Sequence, residues 1–200
     1  MPTVKVIYFD LGRVLVDFDW SRAVREMARC ATADPESIYA CVTASPPALE
    51  YELGKIDSDT FFDFLKRKIL FQESVEHLRR LWNDIFTPLD DTLRIADALR
   101  RDYPLGLISN TNESHVAHIR SQFQFLSYFT PCVFSYETGF LKPAREIYQK
   151  AESLCQAAAS EILFIDDREE NVRGAHALGW KVIHFKTGTN LMFELESVLG

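Results

Sequence analysis

Five short apolar, β-branched runs are spaced along this 200-residue chain, each ending near a polar or acidic residue. They are VKVIYF before Asp10, PLGLI before Ser109, CVFS at 132–135, ILFI before Asp166 and KVIHF at 181–185. Runs this short are strand-sized. Between the later ones lie helix-patterned segments: DDTLRIADALRRD, ESHVAHIRSQF, AREIYQKAESL and ENVRGAHALG, the last closing on Gly179 as a helix stop. Strands alternating with helices predict βαβ units and a parallel sheet buried on both faces.

The first interval breaks the rhythm. About ninety residues separate Phe9 from the run near Pro104, far more than one crossover needs. Residues 18–88 carry amphipathic helical patterns (WSRAVREMARCA, DSDTFFDFLKRKIL, SVEHLRRLWNDIF) punctuated by Pro35, Pro46, Pro47, Gly54 and Pro88, and no strand is expected there. The predicted architecture is therefore α/β. A Rossmann-like parallel sheet is built from residues 1–17 and 89–200, and a small helical-bundle cap at 18–88 is inserted after the first strand.

Charge narrows the partners. With 22 Lys+Arg against 29 Asp+Glu the net charge is -7, which repels a polyanion at long range, so no nucleic acid is expected. The basic clusters LKRKIL and LRRLW sit on helix-patterned sequence and read as solvated faces. Cys30, Cys41, Cys132 and Cys155 lie far apart, at no zinc-ligand spacing, and read as small buried thiols. The five histidines, His77, His115, His118, His176 and His184, are likewise scattered. MPTVKVIYFD has no leader pattern and no run reaches membrane-spanning length. A cytoplasmic protein without a membrane partner is the expectation; oligomeric state is not legible.

In open parallel sheets, ligands bind beyond the carboxyl ends of the strands. The residues to inspect there are Asp10, Ser109 with Asn110, and Asp166 with Asp167. Lys142 joins them in GFLKPAREIY, where Pro143 is expected in the first turn of a helix and Gly139 loosens the preceding loop. Three carboxylates at neighbouring strand ends repel one another unless a cation lies among them. Hard oxygen ligands in a partly open site suit Mg²⁺. Taken singly, each residue also has a bland reading: a turn aspartate at Asp10, helix caps at Ser109 or Asn110, a surface lysine at Lys142, and a helix-dipole partner in the acidic pair. In the insertion, Trp20, Tyr51 and the turn ELGKID are candidates to line a pocket, against the commoner reading of such aromatics as core.

In order, the D-x-G-x-V of Asp10–Val14, Ser109, Lys142 and the Asp166-Asp167 pair resemble the four motifs of the haloacid dehalogenase superfamily. The helical insertion resembles the cap of its phosphatase branch. FDLG, ISNTN, LKP and FIDD resemble the corresponding motifs of the small sugar phosphatases of the α-D-glucose-1-phosphate phosphatase group. The resemblance implies a Mg²⁺-dependent phosphoric monoester hydrolase acting on a small phosphorylated metabolite. Asp10 is then the nucleophile that forms an aspartyl-phosphate and also a metal ligand, and Gly12 offers its backbone carbonyl to the ion. Ser109 and the backbone of Asn110 hold phosphoryl oxygens, and Lys142 neutralises phosphate and nucleophile together. Asp167 is the first choice for direct metal ligand, with Asp166 as co-ligand or orienting group.

The departure from the family is Gly12, where most phosphatases of the superfamily carry a second aspartate as general acid and base. A general acid contributes ~10²–10⁴-fold. Its loss favours good leaving groups, such as an anomeric or acyl phosphate, or an acid supplied by cap or substrate. The rival reading is a non-catalytic binding or regulatory protein on the same fold. A haloacid dehalogenase, which needs no metal, fits the paired carboxylates less well, and a receiver domain would carry its acidic pair on the first strand.

Overall fold

The computed structural model describes residues 3–186 and 188–200; residues 1, 2 and 187, which belong to the expected core segments, lie outside the described residues. The chain runs β1 (Val6–Phe9), β2 (Val16–Phe18), α1 (Trp20–Arg29), α2 (Pro35–Ala44), α3 (Pro46–Glu52), α4 (Ser58–Lys68), α5 (Val75–Asn83), β3 (Phe86–Pro88), α6 (Asp90–Leu99), β4 (Leu105–Ser109) and α7 (Glu113–Gln122). It continues through β5 (Cys132–Phe134), α8 (Ser135–Thr138), α9 (Arg145–Leu154), β6 (Ile162–Asp166), α10 (Glu169–Ala177), β7 (Lys181–His184) and α11 (Leu191–Leu199).

All five apolar runs are strands of one parallel sheet in the order β5-β4-β1-β6-β7. β1 is central, paired to β4 on one side and β6 on the other, and all three are buried along their whole length. The two-residue alternation of a strand divides them between two layers. Ile7, Phe9, Leu107, Leu163 and Ile165 pack with Ala96 of α6, Val116 of α7 and Leu195 of α11. Val6, Tyr8, Ile108 and Phe164 pack with Ile147 and Tyr148 of α9, Ala175 of α10 and Trp180. The Tyr8 hydroxyl, inside that second layer, donates to the Ala151 carbonyl at 2.9 Å, so its burial leaves no orphaned polar atom. Gly179, with φ at 90°, ends α10 in the left-handed conformation.

Residues between β2 and β3 form five helices around their own buried cluster, which includes Met27, Ile38, Phe61, Phe62, Leu65 and Trp82. Their boundaries are written in capping chemistry. Asp19, Asp34, Ser45, Asp57 and Ser74 each accept from a backbone N–H in the first turn, and Pro35 and Pro46 fall at helix starts, where a missing N–H costs nothing.

Three expectations need correction. Strands do occur at the edges of the insertion: β2 and β3 pair antiparallel, Val16 with Pro88 and Phe18 with Phe86, β2 crossing the expected boundary at residues 17 and 18 and β3 ending on the other at Pro88. Three-residue strands carry too little alternation to be read. Pro143 is not in a helix; α9 starts at Arg145 with Ala144 as its cap, so Pro143 belongs to the loop before it. Of the cysteines, all free, only Cys41 is buried and the other three are half-buried. Among the described residues no helix is long and apolar enough to cross a membrane.

Candidate active site

The central position of β1 decides the geometry. Asp10 leaves its end, Ser109 ends β4 on one side, and Asp166 ends β6 on the other, with Asn110 and Asp167 next in the chain. Lys142 arrives from the loop between α8 and α9, fully buried, its Nζ 2.7 Å from Asp10 Oδ1 and 2.6 Å from Asp166 Oδ2. The candidates therefore converge.

Each group is held by its surroundings. The Asn110 side chain clamps the Lys142 backbone, accepting from its N–H at 2.7 Å and donating to its carbonyl at 3.0 Å. Asp166 has no solvent exposure and both of its oxygens are occupied: Oδ1 accepts from the Arg168 N–H at 2.8 Å and from Asn171 Nδ2 at 3.0 Å, and Oδ2 accepts from Lys142 and again from Asn171 at 3.1 Å. The Asp10 carboxylate also accepts from the Leu11 N–H at 2.7 Å. Asp167 is half-buried and lines a cleft of about 1170 Å³ together with Arg13, Asp17, Asp90, Arg94 and Lys186. Ser109 is buried at the end of β4.

Electrostatics here are those of a site built for a cation. Burial pushes the Asp10 carboxyl up to about 7, against the pull of Lys142 and with a further push from Asp166. Burial, and then Asp166, also raise Asp167. Lys142 is pulled down by burial but raised on balance by its two carboxylate partners, so it stays charged. Oxygen atoms of Asp10, Asp166 and Asp167 lie within 4.8 Å of one another. Three hard oxygen donors in mutual repulsion fit a small divalent cation.

At Gly12 a side chain is absent, and one placed there would be crowded. A Cβ placed there would meet Phe18 Cε1 at 3.0 Å. That ring is backed by the Arg13 guanidinium at 4.3 Å from its centroid, and Arg13 is ion-paired with Asp17. β2 thus sets the Phe18 ring beside the position a residue-12 Cβ would take.

The pocket candidates of the insertion lie at its junction with the sheet domain. Trp20 packs on Trp82 at 4.7 Å and on His115 at 5.8 Å. Tyr51 is buried, its hydroxyl 2.8 Å from Ser58 Oγ and accepting from the Ser114 N–H at 3.1 Å. In the ELGKID turn, Gly54 lies so close to α8 that a Cβ would stand 2.0 Å from the Tyr136 carbonyl oxygen. Of the histidines, His115 is buried against Trp82, ring centroids 5.1 Å apart. Asn171, read from the sequence as either orienting the acidic pair or ordinary helix surface, donates to both Asp166 oxygens, whereas Ser114 and Phe18 were not singled out. Only Asn171, one turn beyond the acidic pair, carried a readable signal.

Residues 4–179 match the haloacid dehalogenase-like hydrolases. The chain belongs to that family. Among curated relatives, this haloacid dehalogenase-like hydrolase is 29% identical to a D-ribitol-5-phosphate phosphatase of Bacteroides thetaiotaomicron, over 98% of this chain and 99% of that protein. It is 25% identical to a sesquiterpene phosphatase of Aspergillus oryzae, over 99% and 98%. Among solved structures, a haloacid dehalogenase family enzyme from Bacteroides thetaiotaomicron in complex with magnesium and inorganic phosphate superposes with a TM-score of 0.85 at 25% identity, covering 96% of this chain and 98% of that one. An L-2-haloacid dehalogenase from Xanthobacter autotrophicus, 17% identical, shares the fold with a TM-score of 0.68, over 99% of this chain and 84% of that one.

Proposed function

We propose that this hydrolase is a Mg²⁺-dependent phosphatase of small phosphorylated metabolites, working through an aspartyl-phosphate on Asp10. The observation that carries the reading is the buried Lys142 bridging Asp10 and Asp166 while Asp167 stays open to the cleft. This leaves one carboxylate free for a metal and one poised as nucleophile, with an ammonium beside both. Asp10, Asp167 and the Gly12 carbonyl would hold the ion. Asp166, its oxygens taken by Lys142, Asn171 and the Arg168 N–H, orients the lysine. When bound, Mg²⁺ supplies charge neutralisation for the phosphoryl group.

The protein's own groups do the rest. Asp10 attacks phosphorus, and Lys142 compensates the charge on the transferring group. Ser109 and the Asn110 backbone hold phosphoryl oxygens, while the Asn110 side chain fixes the lysine's backbone. Hydrolysis of the acyl phosphate regenerates Asp10. Two substrate classes are favoured: sugar 1-phosphates, because a residue-12 acid is lacking, and polyol phosphates, because one relative carries that name.

The test is phosphate release by the purified protein with Mg²⁺ from a panel including sugar 1-phosphates and D-ribitol 5-phosphate. Asp10→Asn is the control and EDTA the second arm. Release that Asp10→Asn and EDTA both abolish supports the reading. No release above the Asp10→Asn control on any substrate overturns it in favour of a non-catalytic binding protein.

A further inference from the structure

An alkoxide leaving group needs a proton, and residue 12 has no side chain to give one. Glu52, the last residue of α3, lies between two residues that touch the elements following β4 and β5. Before it, the Tyr51 hydroxyl is fixed to Ser58 and to the Ser114 N–H of α7. After it, Gly54 is pressed on the Tyr136 carbonyl of α8. Glu52 itself is half-buried, and the core charge it senses is Arg168, whose backbone N–H is bonded to Asp166 and which follows Asp167 in the chain.

Several other acidic side chains of the insertion are committed elsewhere. Asp19, Asp34 and Asp57 cap helices, while Asp59 and Asp84 pair with Arg79 and Arg22. Burial raises the Glu52 carboxyl above the ordinary glutamate range, with Arg168 pulling the other way, which moves it toward the proton affinity a general acid needs near neutrality. Charged or titratable groups also lie on the elements packed against α3, namely Glu36, Tyr39 and Cys41 on α2, Asp59, Asp63, Lys66, Arg67 and Lys68 on α4, and Tyr136 and Glu137 on α8; Lys55 and Asp57 belong to its own turn, and Arg168 is itself paired with Glu170.

We propose that Glu52 is the proton carrier of the reaction, a carboxyl supplied by the insertion in place of the one absent at residue 12. This rests on the phosphatase reading. As an oxygen of Asp10 bonds to phosphorus and the bond from phosphorus to the leaving oxygen breaks, the Glu52 carboxyl gives its proton to that oxygen. The resulting carboxylate then takes a proton from the water that attacks the aspartyl-phosphate, so that inorganic phosphate leaves and Asp10 and protonated Glu52 are restored.

The experiment compares Glu52→Gln with wild type on an alkyl phosphate and on p-nitrophenyl phosphate, whose leaving group departs unprotonated. With the alkyl phosphate, Glu52→Gln is expected to lose kcat by about 10²-fold or more. With p-nitrophenyl phosphate it is expected to keep a rapid burst of p-nitrophenol, one per enzyme, followed by slow turnover. Unfolding in urea checks that the variant is folded. Arg168→Gln supplies an independent arm, because loss of that cation should move the alkaline limb of kcat to higher pH. Wild-type kcat on the alkyl phosphate, or a raised KM with kcat unchanged, would overturn the assignment while leaving the phosphatase intact. Absence of turnover by the wild type on every substrate would overturn both.

Discussion

The ring of Phe18 stands against Gly12 closely enough that a Cβ at residue 12 would lie 3.0 Å from Phe18 Cε1. The two positions are coupled through space. Gly12→Asp is expected to cost about 1 kcal/mol by crowding the ring and loosening its contact with Arg13. Combined with Phe18→Ala, the aspartate has room. A double-mutant cycle by urea unfolding should then show about 0.5–1 kcal/mol of favourable coupling. Strict additivity would mean that the two side chains do not compete.

Lys142 neutralises two buried carboxylates at once. Lys142→Met removes the cation that the two buried carboxyls share. The expected loss is about 3–5 kcal/mol at pH 7.5, measured by urea unfolding in EDTA. Mg²⁺ should restore more stability to the variant than it adds to wild type, since the ion then supplies the missing positive charge. Equal Mg²⁺ increments in both proteins would contradict this account.

The Tyr51 hydroxyl ties the insertion to α7. In Tyr51→Phe the buried Ser114 N–H loses its acceptor, for about 1–2 kcal/mol. The substitution keeps the ring stacked on Phe61, with centroids 4.6 Å apart, so the loss reports the hydroxyl alone. Amide exchange at Ser114 should quicken in the variant, and unchanged protection there would show that another acceptor replaces it.

Burial holds the His115 imidazole down to about 3, well below its unfolded value near 6.5. The unfolded chain therefore binds the extra proton between about pH 3 and 6.5. Stability from this group is complete above 6.5 and falls by up to about 1.4 kcal/mol per pH unit as pH drops toward 3. Asp10 works in the opposite direction in metal-free protein, because its folded value of about 7 lies above the unfolded one, so its contribution is lost as pH rises toward 7. Comparing His115→Phe with wild type isolates the histidine. The variant should gain relative stability as pH falls below 6.5, and parallel stability curves would refute this.

Much of the chemistry was legible because parallel strands announce themselves by apolar runs and present functional groups at their ends. Asp10, Ser109 and Asp166 could be placed from the runs before them. Lys142 was readable only from its Leu-Lys-Pro setting, since no periodicity tells a buried lysine from a surface one. Unreadable features depend on contacts distant in sequence. Phe18 meets Gly12 only because β2 turns back in a three-residue strand, and Glu52 is placed by contacts of its neighbours with α7 and α8. The Asn110 clamp is of the same kind, because a backbone contact was expected of a residue whose side chain reaches another loop.

The pairing of Val16 with Pro88 has a consequence for how this architecture can change over generations. The insertion leaves and re-enters the sheet domain at a single point, so its two ends stay neighbours whatever lies between them. Lengthening, trimming or exchanging the five helices leaves the strand order, and with it Asp10, Ser109, Lys142 and Asp166, where they are. New substrate preferences can then arise by trading one segment of chain, and the nucleophile with its buried lysine is inherited unchanged.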